Sequence, residues 1–124
     1  MDAPKKKVLI IEDDANLISV YQAKFQAEGF EVVTALTGQQ GLTSAKETSP
    51  DIILLDIMLP EGMNGFDVME QMRIDPELVK IPVILLTNLD SEKQTGMSLG
   101  AVDYVVKADT SIDELVAKVK KHLH

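Results

Sequence analysis

Residues 52–55 read Ile-Ile-Leu-Leu, and Asp56 follows directly, with Pro60 breaking the pattern four residues later. Four consecutive large aliphatics bounded in this way fit a strand buried on both faces, the habit of a parallel sheet sandwiched between helices. In an open α/β sheet, ligands bind in the crevice outside the carboxyl ends of the strands. Asp56 stands at such an end. A carboxylate there either serves chemistry or caps the loop that follows, since aspartate is common in turns, and this run alone does not choose between the two.

The rest of the chain repeats the pattern. Val8 to Ile11 is another continuous apolar run, ending in Glu12, Asp13 and Asp14. Ile18, Tyr21 and Phe25 then recur at helical spacing, and Gly29 is placed to stop that helix. Glu31 to Ala35 reads as a short strand, and Thr37 to Thr48 as a weaker helix containing Gly41. Glu61-Gly62-Met63-Asn64-Gly65 is a loop of turn formers. Phe66, Met69 and Met72 form a helical stripe, read as core packing, ended by Asp75-Pro76. Pro82 opens the run Val83 to Leu86, which delivers Thr87. Ser91 and Gln94 have capping-box spacing for a helix to about Leu99, ended by Gly100. Gly96 inside it costs about 1 kcal/mol relative to Ala. Asp103 to Val106 is a fifth strand delivering Lys107. Ser111 and Glu114 cap a last helix marked by Ile112, Leu115, Val116, Val119 and Leu123, whose Lys120 and Lys121 suit the negative end of the helix dipole. Five strands alternating with five helices predict a doubly wound parallel sheet covered on both faces.

Composition narrows the chemistry. The 124 residues suffice for one domain with a real core. With no cysteine, disulfides, thiolate catalysis and cysteine-held metals are excluded, and the two histidines, His122 and His124, sit at the end of the chain, far from any triad. Twenty acidic against twelve basic residues give a net charge of −8, which argues against direct nucleic-acid binding by this domain. The apolar run after the basic start is too short for a signal peptide or membrane span, so the chain reads as soluble and cytoplasmic.

A parallel sheet brings all its strand ends to one edge, where Glu12, Asp13, Asp56, Thr87 and Lys107 then meet. Three carboxylates in one crevice raise each other's pKa unless a cation is present. An all-oxygen site suits a hard, octahedral ion, with Mg²⁺ the natural candidate. With a hydroxyl and an ammonium added, the site has the parts to hold a phosphoryl group, a carboxylate serving as nucleophile. Asp14 is assigned to capping the first helix. Taken singly, Thr87 reads as an ordinary strand residue and Lys107 as a surface lysine; it is the set that points to a site.

From about Lys6 to Leu123 the chain resembles the response-regulator receiver domains of two-component signalling, similar to the chemotaxis regulator. Val8-Leu9-Ile10-Ile11-Glu12-Asp13-Asp14 resembles the family's first-strand acidic motif, and Leu54-Leu55-Asp56-Ile57-Met58-Leu59-Pro60 its phospho-acceptor motif. Pro82-Val83-Ile84-Leu85-Leu86-Thr87 and Gly100-Ala101-Val102-Asp103-Tyr104-Val105-Val106-Lys107 resemble its last two strands. The resemblance implies a flavodoxin-like fold with strand order 2-1-3-4-5, residues 1–5 forming a tail and 6–124 the domain. It implies that Asp56 accepts a phosphoryl group from a phosphohistidine of a sensor kinase or phosphotransfer protein. Glu12, Asp13, Asp56 and the backbone carbonyl of Met58 would bind Mg²⁺, and Lys107 would pair with the phosphoryl group. Thr87 and Tyr104 would form the switch, Thr87 moving toward the phosphoryl oxygens and Tyr104 swinging inward. The face of the fourth helix, fifth strand and fifth helix would then change its affinity for a downstream effector. The expected molecule promotes its own phosphorylation and dephosphorylation without being a metabolic enzyme, as a monomer or weak phosphorylation-dependent dimer, either standing alone or belonging to a longer chain.

The sequence also departs from the family's pattern. Ala108 stands where the family usually has a proline behind a cis bond, so that the lysine either carries the strain of a non-proline cis peptide, about 3 to 4 kcal/mol, or is placed by a trans one. The loop after Pro60 is one residue longer than usual, Asn88 replaces a small residue, and Met58 and Leu89 flank the phosphoryl entrance with apolar groups expected to hinder the attacking water. Three other functions fit these residues less well. A phosphohydrolase of the haloacid dehalogenase type expects a second aspartate at position 58, which is Met. An FMN carrier expects a Ser/Thr/Gly-rich loop after the first strand, which is missing. The intact set of five site residues argues against a receiver-fold binding module without phosphotransfer, and Ala108 keeps that reading open.

Overall fold

The computed structural model describes residues 5–88 and 91–123. The expected roles of Leu89, of residues 1–4 in the tail and of His124 therefore lie outside the described residues. Five strands, β1 (Lys7–Ile11), β2 (Glu31–Ala35), β3 (Ile52–Asp56), β4 (Val83–Thr87) and β5 (Asp103–Val106), alternate with α1 (Ala15–Ala27), α2 (Gly38–Thr48), α3 (Gly65–Arg73), α4 (Lys93–Ser98) and α5 (Ile112–His122). They form one parallel sheet in the order β2-β1-β3-β4-β5. The order and the alternation are those expected.

The aliphatic runs are central strands for the reason anticipated. Every residue of β3 and β4 is buried, whereas the edge strand β2, mixed in sequence, is buried only at Ala35. Two layers of side chains cover the sheet. Tyr21, Phe25, Leu115, Val116 and Val119 of α1 and α5 pack against one face. Ala45, Val68, Met69 and Met72 of α2 and α3 pack against the other, where they are joined by Tyr104 and Leu78. Leu78, in the turn between α3 and β4, is fully buried; no periodic signal marks an isolated anchor of this kind.

Helix ends follow local chemistry. The Asp14 carboxylate accepts from the Asn16 and Leu17 amides, confirming its capping role, and Thr37 caps α2 from just outside it. Gly29 and Gly100 stop α1 and α4 with φ of 93° and 103°. The expected capping box at Ser91 is not formed. The N-cap of α4 is Glu92, which makes no side-chain cap bond, so α4 begins a residue later than Ser91 would place it and spans only six residues. Its sole buried residue is Gly96. A Cβ there would lie 2.5 Å from Leu85 Cδ1 and 3.4 Å from Tyr104 Cδ2, so the glycine reflects close approach of the helix backbone to the sheet as well as weak helix propensity. Among the described residues, no helix is long and apolar enough to cross a membrane.

Candidate functional site at the carboxyl edge of the sheet

Strand register decides which side chains meet. Ile11 pairs with Leu55, so the next residues, Glu12 and Asp56, stand level at the ends of β1 and β3. Asp56 pairs with Leu86 and Thr87 with Val106, which puts Thr87 one step and Lys107 two steps further along the same edge. Glu12, Asp13, Asp56 and Lys107 line an open cleft of about 510 Å³ whose walls also include Asp14, Met58 and Asn88, while Thr87 is fully buried at the end of β4. All five expected side chains are thus drawn to one edge.

Their environments differ. Glu12 is 1% exposed, Asp56 4% and Thr87 0%, while Asp13 faces solvent. The Lys107 ammonium lies 2.7 Å from Glu12 Oε2 and 3.3 Å from Asp56 Oδ2. Asp56 Oδ1 accepts from the Met58 amide at 3.2 Å, and Glu12 Oε1 from the Asp14 amide at 3.2 Å. Burial pushes the Glu12 carboxyl up to about 7; the Lys107 bond opposes that rise and the Asp56 charge adds to it. Burial alone would lower the Lys107 pKa, but its bonds to Glu12 and the charge of Asp56 outweigh that and raise it, so the lysine stays charged.

One carboxylate oxygen from each of Glu12, Asp13 and Asp56 lies within 4.8 Å of the others. One ammonium among three carboxylates leaves surplus negative charge at this edge. An all-oxygen donor set with that surplus fits a hard divalent cation, so the residues present suit a metal. The Lys107–Ala108 peptide is trans, since the described residues contain no cis bond, and Lys107–Asp109 forms a turn of 3₁₀ helix. Of the two routes open to a lysine without a following proline, the structure takes the trans one. Tyr104 is buried, on the α4 side of β5, and the Met58 side chain is exposed at the cleft mouth.

The fold and this acid-lined edge define a signalling receiver, and the sequence agrees: the chain belongs to the response regulator receiver domains, whose family model matches residues 8–120. It is 40% identical over 119 residues to the phosphate regulon transcriptional regulatory protein PhoB of Rhizobium meliloti, covering 94% of this chain and 52% of that protein. It is 37% identical over 125 residues to the DNA-binding response regulator MtrA of Mycobacterium tuberculosis, covering 99% and 53%. The chain spans about half the length of these curated relatives. Among solved structures, the chemotaxis protein CheY4 of Vibrio cholerae matches with a TM-score of 0.88 at 27% identity, over 97% of this chain and 100% of that one. The response regulator TrrA of Thermotoga maritima, solved in complex with Mg²⁺-BeF, matches with a TM-score of 0.84 at 33% identity, over 95% and 99%.

Proposed function

We propose that this receiver domain takes a phosphoryl group onto Asp56 from a phosphohistidine of a sensor kinase or phosphotransfer protein, in a Mg²⁺-dependent reaction in the cytoplasm. The observation that carries this reading is the buried Asp56 carboxylate, held at the strand edge within 3.3 Å of the Lys107 ammonium and beside two further carboxylates. An Asp56 oxygen attacks phosphorus as the P–N bond to the donor imidazole breaks, leaving an acyl phosphate on the protein and a histidine on the donor. Little covalent work falls to the receiver; its contribution is to position the acceptor and neutralise charge. Lys107, shared between Glu12 and Asp56 before transfer, pairs with a phosphoryl oxygen afterwards. Thr87, buried one step along the edge, donates its hydroxyl to another. Mg²⁺ held by Glu12, Asp13, Asp56 and the Met58 carbonyl would supply neutralisation of the phosphoryl oxygens.

The output is a change in affinity at the face of α4, β5 and α5, biased by Thr87 and Tyr104. A helix that buries one residue is a suitable element to move. Intact mass after incubation with a small phosphodonor, with and without Mg²⁺ and beside Asp56→Asn, tests the reading. A Mg²⁺-dependent phosphate adduct absent from the variant is expected. No adduct from fresh donor, with no beryllofluoride binding, would instead favour a module that works without phosphorylation.

A further inference from the structure

We propose that Gly65 is a positioning residue for the acceptor: its missing side chain lets the first turn of α3 press against the backbone of Asp56 and Ile57. That contact fixes where the Asp56 carboxylate stands relative to Glu12 and Lys107. The inference rests on the function proposed above.

Gly65 is the first residue of α3 and is buried. It is not among the positive-φ residues, so space rather than conformation calls for glycine here. A Cβ at this position would overlap the Asp56 carbonyl oxygen and lie 2.8 Å from Ile57 Cα and 3.1 Å from the Asp56 carbonyl carbon. These are backbone atoms and cannot turn aside. At Gly38, by contrast, an added Cβ meets only side-chain atoms of Met63 and Val68.

Hydrogen bonds make the contact a clamp. The Gly65 amide donates to the Ile57 carbonyl at 2.8 Å, and the Leu59 amide donates to the same oxygen at 3.1 Å. On its other side the Ile57 amide donates to Leu86 of β4 at 3.3 Å. The residue after the acceptor is thereby gripped between the sheet and α3. Reciprocal bonds between Asn64 and Asp67, at 2.9 and 3.0 Å, fix where α3 begins. The span from Met58 to Asn64 therefore starts and finishes at Ile57, and its first amide is the one bonded to Asp56 Oδ1. A methyl group on Gly65 moves the acceptor, or the loop carrying the Met58 carbonyl, away from the other site groups.

The test compares Gly65→Ala with Asn64→Ala, which removes the cap without adding bulk behind Asp56. Each is assayed for the saturating rate of phosphorylation by a small donor, for Mg²⁺ half-saturation from amide shifts of Asp13 and Met58, and for thermal midpoint, all below the unfolding transition. Gly65→Ala is expected to lose about 10- to 100-fold in the saturating rate and to need more Mg²⁺, while Asn64→Ala loses stability but keeps its rate within about threefold. Equal rate losses in the two variants at matched stability, or a wild-type rate in Gly65→Ala, overturn the inference. Should Gly65→Ala not fold, hydrogen exchange on the wild type decides. The Gly65 amide is expected to be protected, unlike the Phe66 amide beside it in the first turn of α3, and exchange as fast as that of Phe66 overturns the clamp. If wild type and Asp56→Asn behave alike in the phosphorylation assay, it is the proposed function that fails and not this inference.

Discussion

Met58 stands two residues past the acceptor, 65% exposed, and shares the cleft mouth with Asn88. An apolar side chain there offers an attacking water no hydrogen bond, whereas an amide would hold one. Met58→Asn is accordingly expected to shorten the lifetime of the phosphorylated form about fivefold, roughly 1 kcal/mol of barrier; decay of the adduct mass with time measures it, and an unchanged or longer lifetime refutes the role given to Met58. Single residues were legible in the sequence to different degrees. Glu12, Asp13, Asp56, Thr87 and Lys107 could be found because each lies within two residues of the end of an apolar run, and a parallel ladder carries such positions to one edge. Gly65 could be read only as a turn former, because a close approach between backbones distant from one another in the loop leaves no local pattern. The trans setting of Lys107 was undecidable for a related reason, as it depends on the 3₁₀ turn that follows.

Among the elements, strands were the most legible, since the runs in β3 and β4 have no polar face to confuse the period. The start of α4 was the least. Ser91 and Gln94 have the right spacing for a cap, but the helix takes its position from Gly96 on the sheet, not from its N-terminal chemistry. The joining of β5 to α5 carries a further expectation. Asp103 receives the Tyr104 amide at 2.8 Å and the Lys118 ammonium at 3.3 Å, with His122 Nε2 at 3.1 Å. Burial raises the Asp103 pKa, but the bonds from His122, the Tyr104 amide and Lys118 outweigh it and leave the pKa lowered. A lowered carboxylate pKa contributes stability that is present above the unfolded value, about 3.9, and is lost as the pH falls through the folded value below it. Asp103→Asn is expected to be less stable than the wild type at pH 7, with the gap closing below about pH 4. Urea midpoints across that range measure it, and a gap that widens in acid contradicts the assignment.

For the molecule as a whole, the surplus negative charge at the sheet edge couples metal binding to folding. The three carboxylates converge only when β1 and β3 are in register, so a divalent cation bound there stabilises the folded chain and not the unfolded one. At a hundredfold excess over its dissociation constant, Mg²⁺ is expected to add about 2.7 kcal/mol. A scanning-calorimetry midpoint that rises with Mg²⁺ in the wild type but not in Asp13→Asn checks this, and equal shifts in both would place the ion elsewhere. The sheet and its strand edge thus constrain each other tightly, and few positions in β3 or β4 can change without disturbing both. The seat of α4 on Gly96 has the opposite consequence. Because that helix meets the core through a residue with no side chain, Lys93, Gln94, Thr95, Met97 and Ser98 are all exposed. Substitution can rewrite those five positions without touching the packed interior, so that, under the function proposed above, a lineage or a designer could readdress this receiver to a new partner and leave the strand edge unchanged.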